Sequence, residues 1–400
     1  MAERVTSVEM DLLARSAHRP ASVLTAMLLD EIPTDLTPRI SQRLDYVPRY
    51  RQLPRSAGLG VHRWRDDPGF TVSRQLHRAE VGTAEDLRTE LQELLGRPWP
   101  TDRPLWRAEV VKGEGTAALV LDSHPALVDG HDTVELSQVL LETEPAPGVA
   151  IPSAWEPEPM PEGETEFTAS LIGGWRDPET LMATAASGLR GLAGRLRGTP
   201  PPVAEVRPRL SLAGVPKATL AAACKATGAT AEQVLLASVT AAGGRGRRLN
   251  FPRSHADDGS TSALGLDLAP QVVVLPDESM PHAALRQVRP LRPTGIDVDA
   301  LRALPGCVAG TVHAMALRSD VTGPRSDILL SWAPSGDAER WFLGRQKVRA
   351  MYAAPVVGGR TGVGICEDHR RLTVTVVSSD DIDLEADDVV AAVRRLAEPE

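Results

Sequence analysis

The chain is 400 residues long, more than a single hydrophobic core usually supports, so two domains are expected. Its content of 42% hydrophobic and 24% charged residues is typical of a globular protein and argues against a disordered chain. The formal net charge of −9 argues against a nucleic-acid binder, which needs a basic surface.

Membrane-spanning, secreted and metal-binding proteins are also disfavoured by the sequence. No run reaches the roughly 18 apolar residues of a spanning helix, and the N-terminus lacks the apolar region of a secretory signal. The three cysteines, Cys224, Cys307 and Cys366, are too few and too widely spaced for a disulfide framework or a zinc site. The sequence therefore predicts a cytoplasmic protein without a bound metal, and it leaves the oligomeric state open.

The N-terminal part of the chain mixes helices and strands. Thr83, with Asp86 three residues later, predicts a capped helix start, and four leucines follow at helical spacing. Residues 106–111 and 117–121 are apolar runs around a glycine-containing turn, which predicts a β-hairpin. A loop through Gly130 is then predicted to lead into a further helix.

An acidic, proline-rich segment follows the first 141 residues. Between Glu142 and Glu166 there are seven Glu and six Pro but no Asp, Lys or Arg. Because proline restricts the backbone and like charges repel, we predict an extended crossover. After it, apolar residues at helical spacing predict a helix from Pro178 to Arg197, which either packs on the protein or contacts a membrane surface.

The C-terminal part also mixes helices and strands. A closing hairpin is predicted to pair Gly362–Cys366 with Leu372–Val377. The other predicted elements are helices at 217–227 and 231–242 and strands at 210–212, 272–275 and 328–331. Together these elements predict an α/β fold, or an α+β fold with mixed sheets, in three parts. These parts are an N-terminal lobe (1–141), a linker plus helix (142–205) and a C-terminal lobe (206–400).

Residues 123–130, with the sequence SHPALVDG, closely resemble the HHxxxDG motif of the wax ester synthase/diacylglycerol acyltransferase family. This family belongs to a wider group with CoA-dependent acyltransferases and peptide-synthetase condensation domains. Residues 47–52, 64–70 and 103–106 are similar to the family's N-terminal half, in its order and spacing. The similarity resumes at residues 228–230 and continues to the closing hairpin, so it covers nearly the whole chain.

The resemblance implies a fold, a substrate class and a co-substrate. The fold would be two chloramphenicol-acetyltransferase-like lobes that form a pseudo-dimer with a tunnel between them. Family members bind acyl-CoA on one side of this tunnel and a hydrophobic alcohol on the other. The resemblance thus implies a hydrophobic small-molecule substrate, with acyl-CoA or another acyl thioester as co-substrate and no bound cofactor.

The family's chemistry depends on the second histidine of the motif, and this chain has Pro125 in its place. In the family that imidazole accepts the proton of a hydroxyl as its oxygen attacks an acyl thioester. Proline has no titratable group and no N–H, so it supplies neither a base nor a donor. His124, the motif's first histidine, remains as a surrogate base, but in an extended segment it would face away from position 125. His131 is a weaker candidate, because at a helix start it is expected to act as a capping group.

Two further polar positions of the family pattern differ in this chain. The family's Asn-Asp pair corresponds to Glu232-Gln233, and its Ser-Asn-Val-Pro-Gly segment corresponds to residues 331–335. The large ring of Trp332 either reshapes the tunnel wall or packs in the core. The candidate substrate-binding residues are therefore Ser123, Pro125, Glu232, Gln233, Ser331 and Trp332.

The rest of the motif has a structural interpretation. In the family the motif aspartate forms an ion pair that holds the loop, and here Asp129 is expected to pair with Arg103. Gly130 is expected to supply backbone freedom where the loop enters the helix.

Three functions remain open from the sequence alone. The first is binding of an acyl- or polyketide-like substrate in the tunnel with repurposed chemistry, such as a cyclisation or rearrangement in natural-product biosynthesis. The second is an acyl-CoA-dependent O-acyltransferase that uses His124 or His131 as its base. The third is a non-catalytic lipid-binding or partner protein.

Overall fold

The computed structural model of the chain describes residues 5, 13, 16, 21–56, 62–81, 83–113, 116–127, 140–146, 148, 155–158, 208–251, 253–254, 268–269, 272–288, 327–333, 341–357, 360–367, 370–378 and 382–398. These residues form a mixed α/β fold, which confirms the predicted fold class. The predicted helix from Pro178 to Arg197 lies outside the described residues, as do the loop and helix predicted around Gly130.

The bounds of the described helices and strands are as follows. The helices are α1 (Leu36–Arg43), α2 (Val72–Gln75), α3 (Ala84–Gly96), α4 (Lys217–Thr227), α5 (Ala231–Val239), α6 (Pro281–Gln287) and α7 (Ala386–Ala397). The strands are β1 (Ala21–Leu29), β2 (Gln52–Ser56), β3 (His62–Asp66), β4 (Leu76–Glu80), β5 (Trp106–Gly113), β6 (Thr116–Ser123), β7 (Arg209–Pro216), β8 (Arg248–Asn250), β9 (Arg253–Ser254), β10 (Leu268–Ala269), β11 (Val272–Val274), β12 (Ile328–Ala333), β13 (Phe342–Leu343), β14 (Gln346–Val357), β15 (Thr361–Glu367) and β16 (Arg371–Ser378). Two short 3-10 turns, Leu44–Tyr46 and Pro48–Arg51, follow α1.

Two six-stranded sheets organise the described residues. The first sheet has the strand order β13-β14-β1-β6-β5-β4, and the second has the order β11-β8-β12-β15-β16-β7. Both predicted hairpins are confirmed, because β5 pairs antiparallel with β6 and β15 pairs antiparallel with β16. Each hairpin joins neighbouring apolar runs across a short turn, so local sequence is sufficient to predict it.

The two faces of the first sheet carry different helices. On one face, α1 and the 3-10 turns contribute Ile40 and Leu44 to a core with Trp106 of β5. On the other face, α3 packs Leu91 and Leu94 against apolar residues of β1, β5 and β6. In the second sheet, α4, α5 and α7 contribute to a separate core on one face.

Capping boxes begin two of these helices. The predicted box at α3 is confirmed: the Thr83 N–H donates to the Asp86 carboxylate at 2.7 Å, and the Asp86 N–H donates to the Thr83 hydroxyl at 3.2 Å. Thr230 and Gln233 form the equivalent reciprocal pair at α5, with distances of 3.0 and 3.3 Å. Both pairs satisfy N–H groups that a helix start would otherwise leave without partners.

The first sheet takes strands from both ends of the chain. β14 pairs with β1 along its length, from Ala21 opposite Val357 to Leu29 opposite Val348. Residues 342–357 therefore complete the sheet whose other strands precede residue 124. The predicted division of the chain at residues 141 and 206 remains a prediction. The first sheet contains strands from both sides of that division.

Glycines allow the edge of β14 to meet the face of the second sheet. A Cβ at Gly364 would overlap the carbonyl oxygen of Ala353, and a Cβ at Gly362 would overlap that of Pro355. Beside them, the Thr373 hydroxyl donates to the carbonyl of Met351 at 2.5 Å. The backbone of β14 thus lies directly against β15 and β16, and only glycine permits this approach.

The described parts of the acidic segment lie against the first sheet and against residues that flank the separate two-stranded sheet β2–β3. The backbone of Glu142 exchanges two hydrogen bonds of 2.8 Å with Phe342. Further along, Trp155 packs edge-to-face on Phe70 with ring centroids 5.9 Å apart. The Arg51 guanidinium lies 5.2 Å from the centroid of the Trp155 ring. These parts of the predicted crossover are therefore docked on the protein.

The helices in the described part of the chain are short or amphipathic. None of the helices in this described part has the length and apolar content to cross a bilayer.

Candidate ligand-binding site

The motif-like segment leaves the end of β6 and forms a buried turn. Ser123 ends the strand, opposite Trp106 of β5. The His124 N–H donates to the Leu105 carbonyl at 2.9 Å, and the Leu127 N–H donates to the His124 carbonyl at 2.8 Å. Pro125 is buried within this turn. Residues 128–131 lie outside the described residues, so the roles of Asp129, Gly130 and His131 remain predictions.

His124 is fully buried, and its environment keeps it neutral. Its Nδ1 accepts a hydrogen bond of 2.9 Å from the Ala126 N–H, so the ring proton must reside on Nε2. Trp99 packs edge-to-face on the imidazole with centroids 5.7 Å apart. Burial lowers the pKa of His124 to about 3. An imidazole whose lone pair is occupied and whose charged form is so disfavoured is poorly suited to accept a proton.

Ser123 and His124 lie on opposite faces of the first sheet, as the alternation of a strand predicts. The Ser123 hydroxyl is 3.3 Å from the Tyr50 hydroxyl, on the face that α1 covers. His124 contacts Trp99, whose ring stacks on the Arg107 guanidinium at 4.6 Å on the α3 face. His124 therefore belongs to the packing behind the sheet.

A buried ion pair supports the turn from the α3 face. Arg107 of β5 donates to the Asp122 carboxylate through Nε at 2.8 Å and lies 2.7 Å from it through Nη2. The same guanidinium also donates to the Leu94 carbonyl at 2.7 Å, and the Ser22 hydroxyl donates to Asp122. Burial raises the pKa of Asp122 to about 6, against the opposing effect of the Arg107 charge. This pair joins β5, β6 and the end of α3 directly behind His124.

An apolar cavity lies on the opposite, α1-covered face of the sheet. Its lining residues are Ile40, Leu44, Val47, Tyr50, Trp106, Ala108, Leu119, Leu121 and Leu140. They come from α1, the 3-10 turns, two strands and the chain just before the acidic segment, so no local sequence pattern marks the cavity. The cavity has a volume of about 10 Å³, which is close to the minimum for one water molecule.

Two hydroxyls lie beside this cavity next to the motif-like turn. Tyr50 lines the cavity, and its hydroxyl is 3.3 Å from that of Ser123. The Trp106 indole N–H fixes the Tyr50 backbone by donating to its carbonyl at 2.7 Å. Hydroxyls can both donate to and accept from a ligand, so the site combines an apolar space with polar groups at one side.

Arg103 has described contacts near the turn. Its Nη1 donates to the Arg74 carbonyl at 3.2 Å, and its Nε is 3.4 Å from the Asp102 carboxylate. The predicted ion pair between Arg103 and Asp129 remains a prediction, because Asp129 lies outside the described residues.

Glu232 and Gln233 lie in the first turn of α5. The Gln233 side-chain oxygen accepts the Thr230 N–H, so it caps the helix. The sequence Thr-x-x-Gln at 230–233 is typical of a capping box. The family pattern, which has an Asn-Asp pair at 232–233, does not indicate this role. Glu232 is well placed to interact with the N-terminal end of the helix dipole. A role of these two residues in substrate binding remains a prediction.

Ser331 and Trp332 face opposite sides of β12 in the second sheet. The Trp332 ring packs against the second sheet's core, and its indole N–H donates to the Glu367 carboxylate at 2.9 Å. Lys217 Nζ lies 3.4 Å from the same carboxylate. Of the two roles left open for Trp332, core packing is the one that these contacts support. Ser331 is buried opposite Gly364, on the side that faces β14.

The predicted site residues thus fall into two groups. Ser123, His124 and Pro125 are brought together in one turn, whereas Glu232, Gln233, Ser331 and Trp332 belong to the second sheet and its helices. Within the part of the chain that the structure describes, no group of three His, Cys, Asp or Glu side chains is placed to hold a metal ion.

Comparisons with known proteins agree with the family resemblance. The profile of the wax ester synthase/diacylglycerol acyltransferase catalytic domain matches residues 13–242. A probable diacylglycerol O-acyltransferase of Mycobacterium tuberculosis, tgs3, is 30% identical over an alignment of 161 residues that covers 38% of this chain. The matched stretch spans 59% of that protein's length.

Two solved structures share the fold over almost their full length. The wax ester synthase/diacylglycerol acyltransferase from Marinobacter aquaeolei VT8 matches 98% of both chains at 13% identity, with a TM-score of 0.59. The first condensation domain of the calcium-dependent antibiotic synthetase covers 99% of this chain and 96% of its own, at 14% identity and a TM-score of 0.56. The two-lobed fold is thereby confirmed, while a ligand tunnel between the lobes remains a prediction.

Proposed function

This chain belongs to the wax ester synthase/diacylglycerol acyltransferase family, and from that premise we propose that it binds a hydrophobic acyl- or polyketide-like ligand and acts on it without a histidine base. The observation that carries the proposal is the turn after β6. Pro125 occupies the position of the base. The neighbouring His124 is buried, neutral and engaged through its only lone pair by the Ala126 N–H.

The proposed chemistry depends on shape and orientation. Without a proton acceptor at position 125, the attack of a hydroxyl on a thioester loses a contribution of about 10²–10⁴ in rate. A unimolecular cyclisation or rearrangement needs the ligand to be held in a reactive conformation, which the proposed tunnel between the lobes would provide. Ser123 and Tyr50 are the groups we assign to the ligand's polar head. An acyl thioester as co-substrate, a tunnel between the lobes and a place in natural-product biosynthesis belong to this proposal.

The test compares two substitutions of His124. In His124→Asn the amide oxygen can take the place of Nδ1 and accept the Ala126 N–H, whereas His124→Ala removes the acceptor. We expect His124→Asn to keep the stability of the wild type within about 1 kcal/mol and His124→Ala to lose roughly 2–4 kcal/mol. If the wild type releases thiol from decanoyl-CoA in the presence of decanol, we expect both variants to release it as well.

Thiol release and urea unfolding of the purified full chain provide the readouts. A wild-type thiol release that falls by about 10²-fold or more in His124→Asn, while the variant stays folded, would show that His124 is a general base and would overturn the proposal.

A further inference from the structure

Two carboxylates share one guanidinium on the α3 face of the first sheet. Arg97 follows the last residue of α3. It donates from Nη1 to the Glu109 carboxylate at 2.9 Å and from Nη2 to the Glu90 carboxylate at 2.6 Å. The Glu109 side chain is only 4% exposed, whereas those of Glu90 and Arg97 are 21% and 39% exposed. In this Arg97 cluster, a buried acid therefore shares its cation with a second carboxylate.

The charged and titratable groups described around Glu109 come from α3, three strands and the loop after α3. They are Glu90 and Arg97 at the helix, His77 of β4, Arg107 of β5, Asp122 of β6 and Arg103 of the loop. Arg107 is paired with Asp122. Arg103 is paired with Asp102. Burial and the nearby arginine charges lower the pKa of His77, so it adds no positive charge near pH 7. The remaining guanidinium therefore faces two carboxylates, and one bound proton balances their charge.

The geometry of the two carboxyls provides a place for that proton. Glu109 and Glu90 are joined by a side-chain hydrogen bond, which two ionised carboxylates cannot form. Burial and this hydrogen bond raise the pKa of Glu109 to about 7, against the opposing charge of Arg97. When the proton leaves for solvent, two like charges remain side by side. Glu90 is the more exposed of the two, so it is the side chain with room to turn toward water.

The Arg97 cluster lies at the start of the loop that positions Trp99. The Arg107 guanidinium donates to the Arg97 carbonyl at 3.2 Å, so the backbone of Arg97 is also tied to the sheet. Two residues later, Trp99 packs edge-to-face on His124 and lies 4.6 Å from the Arg107 guanidinium. Pro98 between them restricts the backbone. A change in how Arg97 is held is therefore passed to the ring behind the motif-like turn.

We propose that the Arg97 cluster is a pH-sensitive clamp, which holds Trp99 against His124 while one proton is bound between Glu90 and Glu109. Loss of that proton as the pH rises through neutrality releases Glu90 toward solvent and shifts Trp99 relative to His124. This inference goes beyond the proposed function, because it concerns the folded protein without any substrate.

The test follows Trp99 by ¹⁹F NMR in the full chain labelled with 5-fluorotryptophan, from pH 5.5 to pH 8.5. Its signal is the one lost in Trp99→Phe. We expect a step in the wild-type signal with a midpoint near pH 7. Glu109→Gln keeps the size of the side chain, and its amide still donates to Glu90 and accepts from Arg97, but it has no proton to lose. We expect the step near pH 7 to be absent from this variant.

Urea unfolding gives a second readout of the same proton. The folded-state pKa of Glu109 is raised from 4.5 to about 7, so the stabilisation from its protonation is fully present below about pH 4.5 and is lost as the pH rises through 7. We expect the folding equilibrium constant of the wild type, divided by that of Glu109→Gln, to fall about tenfold between pH 6 and pH 8. Asp122 and His77 are present in both proteins, so their direct contributions largely cancel.

Two further variants assign the step to the pair of carboxyls. Glu90→Gln removes the like charge beside Glu109, and we expect it to move the midpoint to lower pH. His77→Gln removes the neighbouring imidazole of β4, and we expect the midpoint to stay near pH 7. The inference is overturned if the wild type lacks the step, if the step persists in Glu109→Gln, if Glu90→Gln leaves the midpoint unchanged, or if His77→Gln abolishes the step. None of these results depends on thiol release, so the test of the proposed function stands apart from them.

Discussion

Replacing Gly364 by alanine is expected to destabilise the protein by about 3 kcal/mol or more. The added Cβ would overlap the carbonyl oxygen of Ala353, which is backbone and has no flexible side chain to move aside. Relief requires β14 to shift, and β14 pairs with β1, which in turn pairs with β6. The motif-like turn follows β6, so we expect the shift to reach Ser123. Urea unfolding monitored by circular dichroism measures the loss.

Gly214 offers the matched control within the second sheet. A Cβ at Gly214 of β7 has its nearest neighbour, the Leu372 carbonyl oxygen, at 3.6 Å, which is an ordinary contact. Gly214→Ala is therefore expected to be neutral, or to stabilise the protein by up to about 1 kcal/mol through the unfolded chain. Equal unfolding free energies for the two variants would contradict the close approach of β14 to β15.

Replacing Arg107 by methionine is expected to cost about 3–5 kcal/mol at pH 7.5. Methionine keeps most of the side-chain volume but leaves the Asp122 carboxylate fully buried without its cation. It also removes the donor to the Leu94 carbonyl at the end of α3. Arg349 pairs with Asp30 at the surface, with exposures of 60% and 45%, so Arg349→Met is expected to cost less than about 1 kcal/mol.

The pH dependence of the Arg107→Met penalty identifies its cause. Burial raises the folded-state pKa of Asp122 from 3.8 to about 6. The stabilisation that comes from protonation of Asp122 in the folded state is therefore fully present below about pH 4. It is lost as the pH rises through 6. Without Arg107 the pKa rises further, so at pH 5 the carboxyl is protonated and its unpaired charge disappears. We expect the penalty at pH 5 to be no more than about half that at pH 7.5.

Equal penalties at the two pH values would contradict the assignment of the loss to a buried charge. Glu109 and Arg97 also lie on this face, and burial raises the pKa of Glu109 to about 7. Both residues are present in the wild type and in the variant. Because the comparison is a difference between the two proteins at each pH, their direct contributions largely cancel.

Local patterns account for the parts of the fold that the sequence predicts. The hairpin of β5 and β6 and the capping box at Thr83 each depend on residues a few positions apart. The pairing of β14 with β1 joins residues more than 300 positions apart, for example Ala21 with Val357, and no local signal specifies it. In the acidic segment, Glu142 is indistinguishable by sequence from its solvated neighbours. Its burial depends on the distant partners Arg39 and Arg43.

The candidate site also combines features that local sequence predicts with features that depend on distant residues. The family resemblance places the base at position 125, and strand alternation predicts that His124 faces away from that position. The low pKa of His124 follows from its burial in the folded protein. The Ala126 N–H could have been anticipated as a local partner, since a short turn after a strand commonly uses such side-chain contacts. The cavity needs residues from four separate segments and is visible only in the folded chain.

The state of the His124 ring tests the central claim most directly. The ¹⁵N signals of its imidazole, followed by NMR from pH 8 to pH 4.5, report both its charge and the position of its proton. We predict a neutral ring with its proton on Nε2 throughout, because Nδ1 accepts the Ala126 N–H and burial lowers the pKa to about 3. A ring that gains its charge near the ordinary pKa of about 6.5, or that carries its proton on Nδ1, would contradict the account and restore His124 as a candidate base.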